Sequence, residues 1–178
     1  MARLRGVTLS VSATTRSMRE GEVEGKDYFF LARGEFEARV FAGQFLEHAE
    51  YAGNLYGTPA DAVQTALTAG LDVILEIELQ GAGQVLKMRP DAVMIYIMPP
   101  SLEELERRLR GRKTESEQAI QSRLSRAREE IAIVQEKERQ GLPRMHYVIV
   151  NDDVKRASDQ LAEIIKLTRE EDDQADCR

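Results

Sequence analysis

At 178 residues, 42% hydrophobic and 31% charged, the chain has the composition of one folded domain with enough length to bury a core. It contains no apolar run of ~20 residues and no basic-then-apolar leader, so no membrane partner is expected. A net charge of −6 argues against a general nucleic-acid binder. The single Cys177 excludes an internal disulfide, and a cytoplasmic location is the expectation.

Val7–Ser12 alternates apolar and polar residues and predicts a strand. It leads into Ala13-Thr14-Thr15-Arg16-Ser17-Met18-Arg19, where two hydroxyls precede one arginine and a second arginine follows three residues later. Hydroxyls and guanidiniums gathered at a strand end suit an anion, because Arg presents a charged planar fork to phosphate oxygens. A solvated loop with ordinary surface arginines fits this stretch equally well. Next come an aromatic strand, Tyr28–Leu31, and a short helix, Gly34–Ala42. Phe45–Tyr51 alternates between glycines and predicts a strand, and Asn54–Pro59 a turn or short strand. Pro59 suits the first position of a helix that runs to Ala69 and stops at Gly70. Asp72–Leu79 is β-branched and apolar except at Glu76 and Glu78, and predicts a strand. Period-two geometry puts those carboxylates on one side, where burial without a partner is costly, so they are expected to face a ligand, a metal or arginines.

A helix over Gln80–Met88 and a strand over Ala92–Met98 follow. Ser101-Leu102-Glu103-Glu104 has the capping-box pattern and opens a helix to about Arg110. A charged helix spans Glu115–Arg139, His146–Val150 is an apolar strand, and Asp153–Arg169 a last amphipathic helix. Residues 169–178 read as an acidic disordered tail. Strands alternating with helices indicate βαβ units and a mostly parallel α/β sheet, with residues 28–58 inserted beside it. Ligands of such sheets bind beyond the carboxyl ends of the strands. That rule gathers Ser12–Arg19, Glu76–Gly81, Pro99–Ser101 and Asn151–Asp153.

Arg107, Arg108, Arg110, Arg112, Arg123, Arg126 and Arg128 form a second basic cluster. Arginines on a closing element neutralise charge in phosphoryl transfer, whereas i,i+4 pairs such as Glu103–Arg107 and Glu104–Arg108 would make them an ordinary helix surface. Glu47, Tyr56 and Thr58 make a third set; a carboxylate accepts two parallel N–H bonds from a guanine edge and a hydroxyl donates to its carbonyl. His48 and His146 lack metal-ligand spacing.

In this order the motifs resemble guanylate kinases across nearly the whole chain. Ser12-Ala-Thr-Thr-Arg16…Arg19…Gly25-Lys-Asp-Tyr28 resembles that family's GMP-phosphate segment. Phe45-Leu-Glu47-His-Ala-Glu and Gly53-Asn-Leu-Tyr56-Gly57-Thr58 resemble its base-recognition segment. Val73-Ile-Leu-Glu76-Ile-Glu78…Gln80-Gly81, Pro99-Pro-Ser101, Arg108-Leu-Arg-Gly-Arg112 and Val150-Asn151-Asp152-Asp153 follow in sequence. The resemblance implies a P-loop-kinase-like α/β domain over residues 1–168, with a small mostly-β GMP-binding region at about 13–70 and a helical lid at about 110–125. It implies ATP-dependent phosphorylation of GMP to GDP with Mg²⁺. Ser12, Arg16, Arg19, Tyr28 and Tyr56 would then hold the GMP phosphate, and Glu47, Thr58 and Glu78 would read the guanine. Glu76 would act on Mg²⁺ indirectly, Arg16, Arg108, Arg112 and Arg123 would serve the transferring group, and Asn151 would lie near the ATP adenine.

The family's G-x-x-x-x-G-K-S/T loop occurs nowhere in these residues, and only eleven residues precede Ser12. The first strand, phosphate loop and first helix of the family are therefore expected to be missing, through truncation or a misplaced start. Doubtful activity of this chain by itself is the corresponding expectation. The alternative is an inactive GMP-binding or scaffold module derived from guanylate kinase. Oligomeric state is not legible.

Overall fold

The computed structural model describes residues 4–51, 53–111, 116–140 and 146–176. It divides into two compact units, Met1–Ala92 and Val93–Arg178.

In the first unit the strand expected over Val7–Ser12 ends at Leu9, and a separate short strand in a different sheet follows at Ala13–Thr14. Strand β1 (Val7–Leu9) pairs in parallel with β6 (Asp72–Ile74), and Ser10 N–H closes that ladder on Ile74 O at 3.0 Å. Strand β2 (Ala13–Thr14) belongs to a four-stranded sheet ordered β3-β2-β5-β4, with β3 (Phe29–Phe30), β4 (Phe45–Tyr51) and β5 (Asn54–Pro59). Ser12 lies where the chain crosses between the sheets. The Asn54–Pro59 segment is a full strand, antiparallel to both β4 and β2. It follows Gly53, whose φ of +78° is a turn geometry glycine adopts without steric cost.

Helix α1 (Arg33–Phe41) covers this sheet through Phe36, which is fully buried and stacked on Phe45 at a centroid distance of 4.5 Å. Ala13, Phe36 and Phe45 form the small core, packed by Phe29, Leu31, Val40 and Leu55. Helix α2 (Ala60–Thr68) starts one residue later than expected, with extended Pro59 as its cap residue instead of its first helical residue. It ends at Gly70 (φ +75°) with Gly70 N–H on Leu67 O and Leu71 N–H on Ala66 O, the bonds of a left-handed glycine stop.

The strand expected over Asp72–Leu79 is shorter. Its ladder ends at Ile74 and helix α3 (Leu79–Met88) starts directly after Glu78. Among the described residues β1 is the strand paired with β6, and their register ends at Leu9↔Ile74, so the ladder stops there.

In the second unit β7 (Met94–Met98) and β8 (His146–Val150) pair in parallel over their full lengths. Helices α4 (Leu102–Gly111) and α5 (Glu117–Gln140) pack through Leu105, Leu109, Ile120 and Leu124. Ser101 Oγ accepts the Glu104 N–H at 3.2 Å, one half of the expected capping box; the Glu104 carboxylate turns to arginines instead. Helix α6 runs over Val154–Asp176, so the stretch expected as a disordered tail after Arg169 is helical through Asp176. Extending an existing helix avoids the nucleation cost that an isolated acidic segment would bear. Cys177 lies outside the described residues. Among the described residues parallel strands occur as three pairs, β1-β6, β2-β3 and β7-β8. No described helix is long and apolar enough to cross a membrane.

Candidate functional site

Arg16 stands at the end of β2, and the two threonines before it hold the turn. Thr14 Oγ1 accepts the Arg16 N–H at 3.1 Å, and Thr15 Oγ1 accepts the Leu55 N–H at 2.9 Å. These hydroxyl oxygens, expected among the anion ligands, bind backbone and orient Arg16. The guanidinium donates to Glu22 Oε1 at 2.6 Å and to Ser17 O at 2.6 Å. It also lies over the rings of Tyr28 (5.5 Å) and Phe30 (5.8 Å), within cation–π range. Tyr28 meets Tyr56 edge-on at 6.1 Å. The Glu22 hydrogen bond, with a smaller contribution from Tyr56, raises the Arg16 pKa above its ordinary value. The same pair, with the Arg19 N–H at 2.7 Å, holds Glu22 below the usual carboxylate range. One arginine, two tyrosines and Glu22 therefore converge at the β2–β5 end of the sheet. Arg19 is exposed beside them, and Ser12 is half-buried one residue before β2.

The second cluster lies along β4 and β5. Glu47 is only 6% exposed and faces Thr58, its register partner, whose Oγ1 donates to Glu47 Oε1 at 2.7 Å. Loss of hydration raises the Glu47 pKa; Thr58 opposes that rise and the charge of nearby Glu78 adds to it. Gly81 makes the room: a Cβ there would stand 2.6 Å from Glu47 Oε2. Glu78 is the residue capping α3, and Glu76 and Glu78 are both exposed. The two therefore do not share one side of a ladder as expected, because the ladder stops before them. Tyr56 and Thr58 are two residues apart on β5 and point to one face, about 7 Å apart along the strand.

In the second unit Arg108 donates from Nε to Glu104 Oε1 at 2.7 Å and from Nη1 to Asn151 O at 2.9 Å. Two expected residues, Arg108 and Asn151, are thus joined. Arg107 also takes Glu104, at i−3 rather than the expected Glu103, and the two arginines hold the Glu104 carboxyl down at about 2. Arg110 bonds Glu106 and Glu117, joining the end of α4 to the start of α5. Arg123 is half-buried on α5; Arg112 lies outside the described residues, as does the middle of the expected lid. Among the described residues no three His, Cys, Asp or Glu side chains cluster to hold a metal.

Sequence reasoning missed Gln84, which ties α3 to β4: Nε2 donates to His48 O at 2.9 Å and Oε1 accepts the His48 N–H at 3.1 Å. The contact spans 36 positions and leaves no periodic signal in the sequence.

An arginine ringed by two tyrosines and a buried carboxylate on one small sheet of an α/β chain are the groups that a nucleotide-binding protein presents. Comparison with known proteins specifies which. The guanylate kinase family model matches residues 3–168. The guanylate kinase of Rubrobacter xylanophilus is 56% identical over 157 residues, 88% of this chain and 78% of that protein. That of Streptococcus thermophilus is 54% identical over 157 residues, 88% and 71% of the two chains. The crystal structure of guanylate kinase from Anaplasma phagocytophilum superposes with a TM-score of 0.71 at 37% identity, covering 91% of this chain and 76% of that one. The chain belongs to the guanylate kinase family, and its substrates are small nucleotides.

Proposed function

We propose that the first unit holds GMP as phosphoryl acceptor, with Arg16, Arg19, Ser12, Tyr28 and Tyr56 on the phosphate and Glu47, Thr58 and Glu78 on the base. The observation that carries this is the shared face of β5: Tyr56 reaches the Arg16 corner and Thr58 braces Glu47, so one strand spans both ends of a nucleotide. Arg16 fits the phosphate chemically because its charge is permanent and its fork matches two oxygens. Glu47 fits guanine because a carboxylate accepts from the adjacent N1–H and 2-amino donors.

Similarity to whole guanylate kinases favours this enzyme over an inactive module derived from one. ATP would supply the phosphoryl group, with Asn151 near its adenine and Arg108, Arg112 and Arg123 countering charge on the transferred group. Phosphoryl transfer depends chiefly on such positioning and neutralisation. Mg²⁺, when bound, would supply charge neutralisation on the phosphates, and Glu76 is the residue that would hold it, through water. An exposed Glu76 suits a cation that takes one or two carboxylates and keeps several waters. Titration calorimetry with GMP, guanosine and AMP is the test. GMP is expected to bind best, guanosine to lose the phosphate contribution and AMP the base contribution; equal affinity for GMP and AMP would refute the assignment.

A further inference from the structure

Helix α3 touches β4 at two places one turn apart. Gln84 closes both of its amide bonds on the backbone of His48, and Gly81 leaves the notch in which the Glu47 carboxylate lies. Gly81 and Gln84 are three residues apart and so share a helix face. In the order β3-β2-β5-β4, strand β4 is the edge of the sheet, and at His48 its outward N–H and C=O face no neighbouring strand among the described residues. The Gln84 amide supplies the donor and acceptor that such a strand would have given. The clamp thus sits one residue after Glu47, while the notch receives the Glu47 side chain itself. Glu78 is the cap residue of the same helix, so α3 ties both candidate base-reading carboxylates to one element.

We infer that Gln84, through its clamp on His48, is a positioning residue that sets the purine selectivity of the acceptor site, with Gly81 as the other half of the device. This inference rests on the assignment of Glu47 to the guanine edge. A carboxylate discriminates guanine from hypoxanthine, which lacks the 2-amino group, only while both of its oxygens meet the two ring-edge donors. A helix shift of an ångström turns that geometry off without removing any ligand. Both amide ends of Gln84 are engaged by the His48 backbone, so it acts through β4 and the seat of Glu47.

The test measures GMP and IMP affinities of the full chain by titration calorimetry, with thermal midpoints, for the wild type, Gln84→Leu, Gly81→Ala and Glu47→Gln. Gln84→Leu keeps bulk but removes both bonds. Gly81→Ala fills the notch, and the Glu47 carboxylate, being the far end of a flexible chain, yields to it. If Gln84→Leu does not fold, Gly81→Ala decides. Each is expected to cut the GMP-over-IMP preference about tenfold by weakening GMP, the effect of one lost charge-assisted bond. A lowered midpoint with an unchanged preference would mean that α3 is merely structural, and would overturn the inference. If Glu47→Gln leaves the preference intact, or if GMP does not bind at about 10 mM, the base assignment itself fails and the inference falls with it.

Discussion

Replacing Glu47 by Gln is expected to stabilise the protein while removing its grip on guanine. The carboxylate is 6% exposed and receives the Thr58 hydroxyl at 2.7 Å, while the charge of Glu78 opposes its ionisation. Taking a carboxylate out of water costs several kcal/mol, and a hydrogen bond to a charged group returns about 1.5–3 kcal/mol. The deficit left in the ligand-free protein is about 1–2 kcal/mol, which a neutral amide of the same shape avoids. For a chain of this size that is a rise of roughly 2–8 °C in Tm.

The gain depends on pH with a definite sign. Burial raises the folded pKa above the ordinary 4.5, so the folded state binds its proton more tightly than the unfolded chain does. Below 4.5 both states are protonated and the substitution is close to neutral. As pH rises from 4.5 through the folded pKa the wild type loses stability, and the advantage of Gln reaches its full size above that pKa. Thermal melts of both proteins between pH 4 and 8, paired with GMP titrations at the upper end, provide the measurement. A variant less stable than wild type at pH 8, or an advantage that does not grow with pH, would refute the electrostatic account of this site.

Three further outcomes are expected. Arg16→Ala should weaken GMP about 10- to 100-fold, the worth of one or two charge-assisted bonds, and leave guanosine binding unchanged in the same titration. Glu22 is held below the usual carboxylate range by Arg16, so the pair persists above 4.5 and is lost as pH falls through the lowered value; Glu22→Gln should abolish that acid-side transition in tyrosine fluorescence. With no tryptophan in the chain, Tyr28 beside Arg16 is the natural reporter. Phe36→Ala removes a fully buried ring stacked on Phe45 and should cost the first unit about 3–5 kcal/mol by chemical denaturation.

Much of this protein is written locally. Phe45–Tyr51 alternates and forms β4 with those bounds, and the glycine after α2 ends the helix in the geometry its residue type favours. The anion corner was legible in part: Arg16, Arg19 and the hydroxyls before them stand close in sequence near one strand end, whereas Tyr56 joins Arg16 and Tyr28 only in the fold. The division of labour was not legible: Thr14 and Thr15 carry the right chemistry for a ligand, yet their oxygens accept backbone N–H groups, one of them from Leu55 forty positions away. The strand expected through Glu78 fails for a similar reason. Residue pattern announces a capacity to extend, but a ladder needs a partner, and β1 offers only Val7–Leu9.

From sequence alone came the α/β class, the order of strands and helices, the ordered motifs and hence the family, because these rest on periodicity, turn chemistry and residue type over short spans. Tertiary structure decided that the Thr14 and Thr15 oxygens accept backbone N–H groups, that Glu47 is buried against Thr58 in a notch left by Gly81, and that Gln84 locks a helix to the edge of a sheet. Most of those facts depend on contacts between residues many positions apart. Their energies come from desolvation and hydrogen-bond geometry, which exist only once the chain has closed on itself.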